Sequence, residues 1–354
     1  MNTPSAKHRL SNHDPLWDAC SLDIFAEWQK GGTELRWRST TAANDGQELR
    51  VFSRRFGIPE APPLVLVHGF PTSSMDYFDL AHELSSDFDM YMLDFPGYGL
   101  SDKPPEPYTY SLYDDARLLV HAITDVWKLS EFRILTHDRG SSVGMIALDM
   151  LAALDPPVVP LDLILTNANI YLPLANLTLF QTALLDPETG RATAAATTPE
   201  TLAAGMGAST FMPRRKLTDP EIAALAKCFA HNDGIRVLPD TIQYLHERAA
   251  DETNWLEALS SSQVNTTMVW GLHDNVAPLR VPNHVWLTYL KSKPGRNRYW
   301  VVPDADHYVQ CDAPRQLAQI IRLTVQDEDI SLQTLGNQPG GAVLVDQSTG
   351  EPEQ

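Results

Sequence analysis

Residues 132–144 have the sequence Phe-Arg-Ile-Leu-Thr-His-Asp-Arg-Gly-Ser-Ser-Val-Gly and decide the fold of this 354-residue chain. The apolar run at 132–135 predicts a buried strand, and residues 141–151 predict a helix. Residues 136–140 then form a sharp turn, with small residues two before and two after Asp138. Such a turn exposes one side chain above a sheet, where it can act as a nucleophile. The predicted nucleophile is the Asp138 carboxylate, which attacks carbon and leaves an ester on the enzyme.

A second interpretation of the same stretch makes Ser142 the nucleophile of a serine esterase. Residues 140–144 fit the pattern Gly-x-Ser-x-Gly, in which the central serine occupies the turn. That interpretation extends the strand through His137, Asp138 and Arg139, and three polar residues are unusual in a buried strand. We therefore favour Asp138 and keep the serine esterase as an alternative.

An acid and a histidine should follow the nucleophile in that order, each just past the end of a strand. A β-prone run at 267–270 ends shortly before Asp274, and the next predicted strand ends shortly before His307. Asp274 is thus placed to orient the His307 imidazole. Asp304 and Asp306 are rival partners for His307, but their closeness in sequence suits them better to shaping the turn.

Two backbone donors are predicted to form an oxyanion hole. An apolar run at 64–67 predicts a buried strand, and it ends in the loop 68–74, where a glycine permits close backbone approach. The N–H groups of Phe70 and Arg139 would converge on the oxygen that becomes negative during the reaction.

Three motifs together resemble the α/β-hydrolase superfamily, in the branch of haloalkane dehalogenases and epoxide hydrolases. They are His-Gly-Phe-Pro-Thr-Ser-Ser at 68–74, the turn-rich loop at 94–104, and His-Asp-Arg-Gly-Ser at 137–141. The resemblance extends over about residues 22–325. It implies that a histidine-activated water hydrolyses the aspartyl ester. It also implies that Asp138 is the nucleophile, His307 the base and Asp274 the acid that orients His307.

Departures from that branch bear on the leaving group. Haloalkane dehalogenases hold the halide with an Asn and a Trp at the positions where this chain has Phe70 and Arg139. Fluoroacetate dehalogenases have an Arg after the nucleophile that binds the substrate carboxylate, and a second Arg where this chain has Ser142. Epoxide hydrolases need a phenol in the cap to protonate the opening ring. Tyr244, with Tyr171 as a possible second phenol, is the predicted ring-opening acid.

The sequence therefore favours a cofactor-free hydrolase that opens an epoxide to a diol. One alternative is dehalogenation of a haloalkane or a haloacid by the same Asp/His/Asp mechanism. Another is a non-catalytic binding protein on a hydrolase scaffold, since fold does not fix function. Three intact catalytic residues favour an enzyme over that last alternative.

The order of predicted elements indicates an α/β fold with a mainly parallel, doubly wound sheet. A helical cap is expected after the sixth strand, over residues 171–262. The hydrolase core is then formed by 22–170 and 263–328. A flexible segment is predicted at 1–21. The tail 329–354 is rich in Gly, Pro, Gln and acidic residues and is predicted to be disordered.

Composition limits the cellular location and the kinds of binding partner that we expect. The formal net charge of −18 argues against binding to nucleic acid or to anionic membrane surfaces. Cys20, Cys228 and Cys311 follow no disulfide or metal-site spacing, and no signal segment or long apolar run is evident. We expect a cytoplasmic protein that acts on a small-molecule substrate without a cofactor or metal; its oligomeric state is left open.

Overall fold

The computed structural model describes residues 23–211, 217–326 and 341–348. Within these ranges nine strands form one sheet in the order β1-β2-β4-β3-β5-β6-β7-β8-β9. The strands are β1 (Gly32–Arg38), β2 (Glu48–Gly57), β3 (Pro63–Val67), β4 (Asp89–Leu93), β5 (Arg133–His137), β6 (Asp162–Thr166), β7 (Asn265–Gly271), β8 (Asn297–Val302) and β9 (Val343–Ser348). The six neighbouring strands β4, β3, β5, β6, β7 and β8 pair in parallel. Strands β1 and β2 at one edge, and β9 at the other, pair antiparallel.

Helices cover both faces of the sheet. They are α1 (Ile24–Lys30), α2 (Phe78–Leu84), α3 (Leu112–His121), α4 (Arg139–Ala152), α5 (Leu179–Leu185), α6 (Gly190–Ala196), α7 (Pro199–Ser209), α8 (Asp219–Ala230), α9 (Leu238–Thr241), α10 (Tyr244–Ser261), α11 (Arg280–Val285), α12 (Val309–Asp312) and α13 (Pro314–Val325). Short 3-10 or π turns occupy Ala42–Asn44, Ser74–Tyr77, Ala122–Val126, Leu172–Leu174, His231–Val237 and Trp286–Leu290.

The parallel strands are buried along almost their whole length because helices pack on both sides. Every residue of β4, β6 and β8 is buried, as parallel sheets between two helical layers require. Helix α2 packs against α13, and α3 packs against α4. The predicted fold class, a mainly parallel doubly wound sheet, is confirmed.

The described helices α5 to α10 lie between β6 and β7 and form the cap, so its insertion after the sixth strand is also confirmed. Helix α10 packs on α4 and thereby joins the cap to the helix that begins at the predicted nucleophile. Within the described ranges, no helix combines the length and the apolar character that crossing a membrane would need.

The prediction that the tail is disordered is wrong for residues 343–348. Residues 343–348 form the edge strand β9, which pairs antiparallel with β8. The run Ala-Val-Leu-Val at 342–345 is β-prone, and Trp286 Nε1 donates a hydrogen bond of 3.0 Å to Asp346 Oδ2. The prediction of disorder used the composition of the whole tail, which did not reveal this short β-prone run. The predicted flexible segment 1–21 lies outside the described residues.

Candidate active site

Asp138 directly follows β5 and is the N-cap residue of α4. Its backbone conformation is rare for residues other than glycine. Its φ is 47° and its ψ is −121°. The turn is tight, because a Cβ added at Gly140 would lie 2.5 Å from the carbonyl oxygens of Val67 and His68. Strand β5 ends at His137, two residues beyond the predicted end, and α4 begins at Arg139, two residues before the predicted start. Asp138 alone lies between the two elements, and its side chain is buried.

The two oxygens of the Asp138 carboxylate have different surroundings. The Phe70 N–H donates a hydrogen bond of 2.9 Å to Oδ2. Oδ1 is buried without a hydrogen-bond partner among the described residues, and it lies 3.9 Å from His307 Nε2. One oxygen is thus held in place, and the other is available to attack. Of the two predicted oxyanion donors, Phe70 is in contact, and the Arg139 N–H stands at the start of α4.

His307 and Asp274 form a buried pair behind that carboxylate. The distance from His307 Nδ1 to Asp274 Oδ2 is 2.9 Å, and Asp274 Oδ1 accepts from the N–H groups of Val276 and Ala277 at 2.7 and 2.9 Å. Burial lowers the pKa of His307, but the charges of Asp274 and Asp138 together raise it to about 9. Burial raises the pKa of Asp274, whereas His307 and other donors bring it below its ordinary value.

Asp306, a rival partner in sequence, binds the backbone and not the ring. Its Oδ1 accepts from the His307 N–H at 2.8 Å, and its own N–H donates to Asp312 Oδ2 at 2.9 Å. These contacts shape the loop that carries His307. The carboxylate that contacts Nδ1 of the imidazole is therefore Asp274.

Asn167 is a site residue that the sequence did not single out for this position. It follows β6, between the strands that carry Asp138 and Asp274. Its Nδ2 donates to Asp274 Oδ2 at 2.8 Å, its Oδ1 accepts from the Gly271 N–H at 3.0 Å, and its carbonyl accepts from the Asp138 N–H at 3.1 Å. A polar residue just past a central parallel strand was the available signal.

The two candidate phenols lie in different places. Tyr244 begins α10, is buried, and packs its ring against Phe70 with centroids 6.0 Å apart. Its hydroxyl has no partner among the described residues, and burial followed by the charge of Asp138 raises its pKa. The Tyr171 ring instead lies against His284 of α11, with centroids 4.2 Å apart.

Ser142 lies one turn inside α4 and is fully buried. Its Oγ accepts a hydrogen bond of 3.0 Å from Nε of the cap residue Arg248. The helix continues through Ser142, so the turn that a serine nucleophile requires is absent at that residue.

A cavity of about 320 Å³ lies between the core and the cap. Phe70, His307 and Tyr308 contribute to its wall from the core. Apolar cap residues that line it include Phe180, Leu202 and Met206. Its size suits a small organic molecule with an apolar portion.

Two known proteins are similar to this chain over most of its length. LipZ of Mycobacterium tuberculosis, a protein named as a hydrolase, is 31% identical over 300 residues, which cover 83% of this chain and 95% of LipZ. The mesoderm-specific transcript homologue of Bos taurus is 29% identical over 287 residues, covering 78% of this chain and 83% of that protein. This similarity extends well beyond the motifs at 68–74 and 94–104.

Solved structures share the fold at low sequence identity. The haloalkane dehalogenase DbeA of Bradyrhizobium elkani has a TM-score of 0.66 and 18% identity, covering 84% of this chain and all of DbeA. A thermophilic esterase of Thermogutta terrifontis has a TM-score of 0.64 and 19% identity, covering 83% of this chain and 98% of that esterase. Because enzymes with different leaving groups share the fold, the fold alone does not select the reaction. The α/β-hydrolase fold model matches residues 62–314, and this chain belongs to the α/β-hydrolase family.

Proposed function

We propose that this protein is a cofactor-free hydrolase that forms a covalent ester on Asp138 and hydrolyses it with water activated by His307. One observation carries the proposal. Asp138 stands at the strained turn with Oδ2 fixed by Phe70, while Oδ1 has no hydrogen-bond partner among the described residues and lies 3.9 Å from His307 Nε2. Fixing one oxygen aims the other at a substrate carbon.

In the first half-reaction, Asp138 Oδ1 forms a bond to an epoxide carbon as the C–O bond of the ring breaks. The departing alkoxide takes the proton of the Tyr244 hydroxyl. In the second half-reaction, His307 Nε2 takes a proton from water, and the hydroxide bonds to the ester carbonyl carbon. The Phe70 N–H stabilises the oxyanion that forms there. Collapse releases the diol, whose new hydroxyl takes the His307 proton, and the Asp138 carboxyl proton restores Tyr244.

The leaving group is proposed to be an alkoxide, and Tyr244 supports this choice. An opening epoxide yields a strong base, which needs a proton or a strong hydrogen bond. The Tyr244 hydroxyl is buried beside Phe70 and has no partner within the described ranges. A halide is held by side-chain N–H donors instead, and Phe70, at one of the two positions where haloalkane dehalogenases carry such a donor, has none. Dehalogenation is the alternative within the same mechanism.

Replacing His307 should separate the two half-reactions. His307→Gln is expected to form the ester and fail to hydrolyse it, because the base that activates water is lost. Intact-mass analysis after mixing with an epoxide should show a stable adduct of one substrate per chain, located on the peptide that contains Asp138. His273→Gln is the matched control, since His273 is an exposed neighbour of Asp274. Turnover by His307→Gln at the wild-type rate would exclude this role.

The pKa of His307 should fall when the Asp138 charge is removed. Asp138 is one of the charges that raise the pKa of His307 to about 9 in the resting protein. In the resting protein the imidazole is protonated below that pH and cannot act as a base. In the ester its pKa should be lower, so ester hydrolysis should speed up as pH rises through that lower value. Ester formation neutralises Asp138, and Asp138→Asn imitates that change. NMR titration of the imidazole should give a lower pKa in Asp138→Asn than in the wild type; equal values would contradict this coupling.

Loss of the Tyr244 hydroxyl should slow ring opening. Tyr244→Phe is expected to reduce the rate of ester formation from epoxides by about 10²- to 10⁴-fold, the usual size of general acid catalysis. Rapid-quench measurement of the adduct tests this step directly. Tyr171→Phe is the control, because that ring lies against His284. Halide release without diol formation, unaffected by Tyr244→Phe, would identify a dehalogenase instead.

A further inference from the structure

Most hydroxyl groups in the wall of the cavity between core and cap are already used as hydrogen-bond donors within the protein. Four of them donate to backbone carbonyls three or four residues earlier in the chain, at 2.8 to 3.0 Å. They belong to the cavity-lining cap residues Thr197, Thr201, Ser209 and Thr210. The Tyr308 hydroxyl donates to the Phe70 carbonyl at 3.4 Å. These hydroxyl protons are therefore not available to a molecule in the cavity.

The side-chain amide of Gln181 differs from these hydroxyls, because its donor is unused. Gln181 is 8% exposed and lines the cavity. Its Oε1 accepts a hydrogen bond of 2.8 Å from the Thr178 N–H. That contact fixes which end of the amide is oxygen, since a backbone N–H can only donate. Nε2 then has no hydrogen-bond partner within the described ranges, and a buried amide nitrogen of this kind points to a missing acceptor.

The charge of the wall indicates that this acceptor is neutral. Among the described residues, no Asp, Glu, Lys or Arg lines the cavity. His307 does line it, but its Nδ1 is already paired with Asp274 at 2.9 Å. A charged substituent would lose its hydration in the cavity without gaining a counter-ion, which is costly. An uncharged oxygen can accept from an amide N–H without that cost.

The Gln181 amide and the reacting atoms belong to the same space. Gln181 and His307 both line the cavity, and His307 Nε2 lies 3.9 Å from Asp138 Oδ1. Gly205 of α7 leaves room in this wall, because a Cβ added there would meet no atom within 4 Å. A substrate whose reacting carbon is at Asp138 can therefore extend along the cavity and present an oxygen to Gln181.

We propose that the substrate is an uncharged molecule with an apolar chain that contains a neutral oxygen acceptor, such as an ether oxygen, and that the Gln181 amide binds this oxygen. The inference rests on the proposed function for the epoxide at the reacting end of the molecule. Gln181 is then a residue that determines substrate specificity and takes no part in breaking or forming bonds. Its loss should change which epoxides are preferred, and the Asp138 ester should still form.

A series of isosteric epoxides tests this contact on the full chain. Terminal octene oxide is the reference, and each isostere carries an ether oxygen in place of one chain methylene. We expect wild-type kcat/KM to favour one oxygen position by about threefold to tenfold, mainly through KM, as one neutral hydrogen bond would give. Gln181→Glu keeps an acceptor for the Thr178 N–H but has no donor when ionised, and Gln181→Met has no donor at any pH. Both should remove the preference, and comparison with the wild type cancels differences in intrinsic epoxide reactivity.

Thr197→Val is the matched control, because the Thr197 hydroxyl donates to the Thr193 carbonyl and its loss should leave the preference unchanged. The corresponding diols and their ether isosteres cannot form an ester with Asp138, and calorimetry measures their Kd for the same proteins. No preferred oxygen position in either turnover or binding would overturn the proposal, as would a preference that survives both Gln181 variants. Tighter binding of one ether diol, lost in Gln181→Met, without turnover of any epoxide would keep the Gln181 contact and reject the proposed function.

Discussion

The hydrogen bond from the Phe70 N–H to Asp138 Oδ2 is the contact around which the site is arranged. It joins the loop after β3 to the turn after β5, two strands that are neighbours in the parallel sheet. The bond requires the rare φ of 47° at Asp138 and the absence of a side chain at Gly140. With Oδ2 held, Oδ1 is left as the oxygen that can bond to carbon.

The remaining groups reach this carboxylate because parallel strands end at one edge of the sheet. Asp274 follows β7, His307 follows β8, and Asn167 follows β6, which lies between β5 and β7. Asn167 joins the Asp138 backbone to the Asp274 side chain by hydrogen bonds, so the proposed nucleophile and its proposed orienting acid share one support. The charges of Asp274 and Asp138 both raise the pKa of His307, so a change in the charge of Asp138 changes that pKa.

Local patterns in the sequence were enough to predict the central strands, the turn at Asp138, and the positions of Asp274 and His307. Each of these depends on a strand ending next to a polar loop. The support from Asn167 and the cap contact from Arg248 join residues 107 and 106 positions apart, and such contacts have no local signature. The contact of Tyr171 with His284 likewise joins residues that are far apart in sequence, and spacing alone does not predict it. Strand β9 was missed because composition was averaged over the whole tail.

The central claim is that the oxygen delivered to the product comes from Asp138 and that water replaces it in the protein. A single turnover in heavy-oxygen water, with enzyme in excess over epoxide, measures this directly. The account predicts an unlabelled diol from the first turnover and one heavy oxygen in the peptide that contains Asp138. Heavy oxygen in the first-turnover diol, with no label in that peptide, would show direct attack by water and contradict the account.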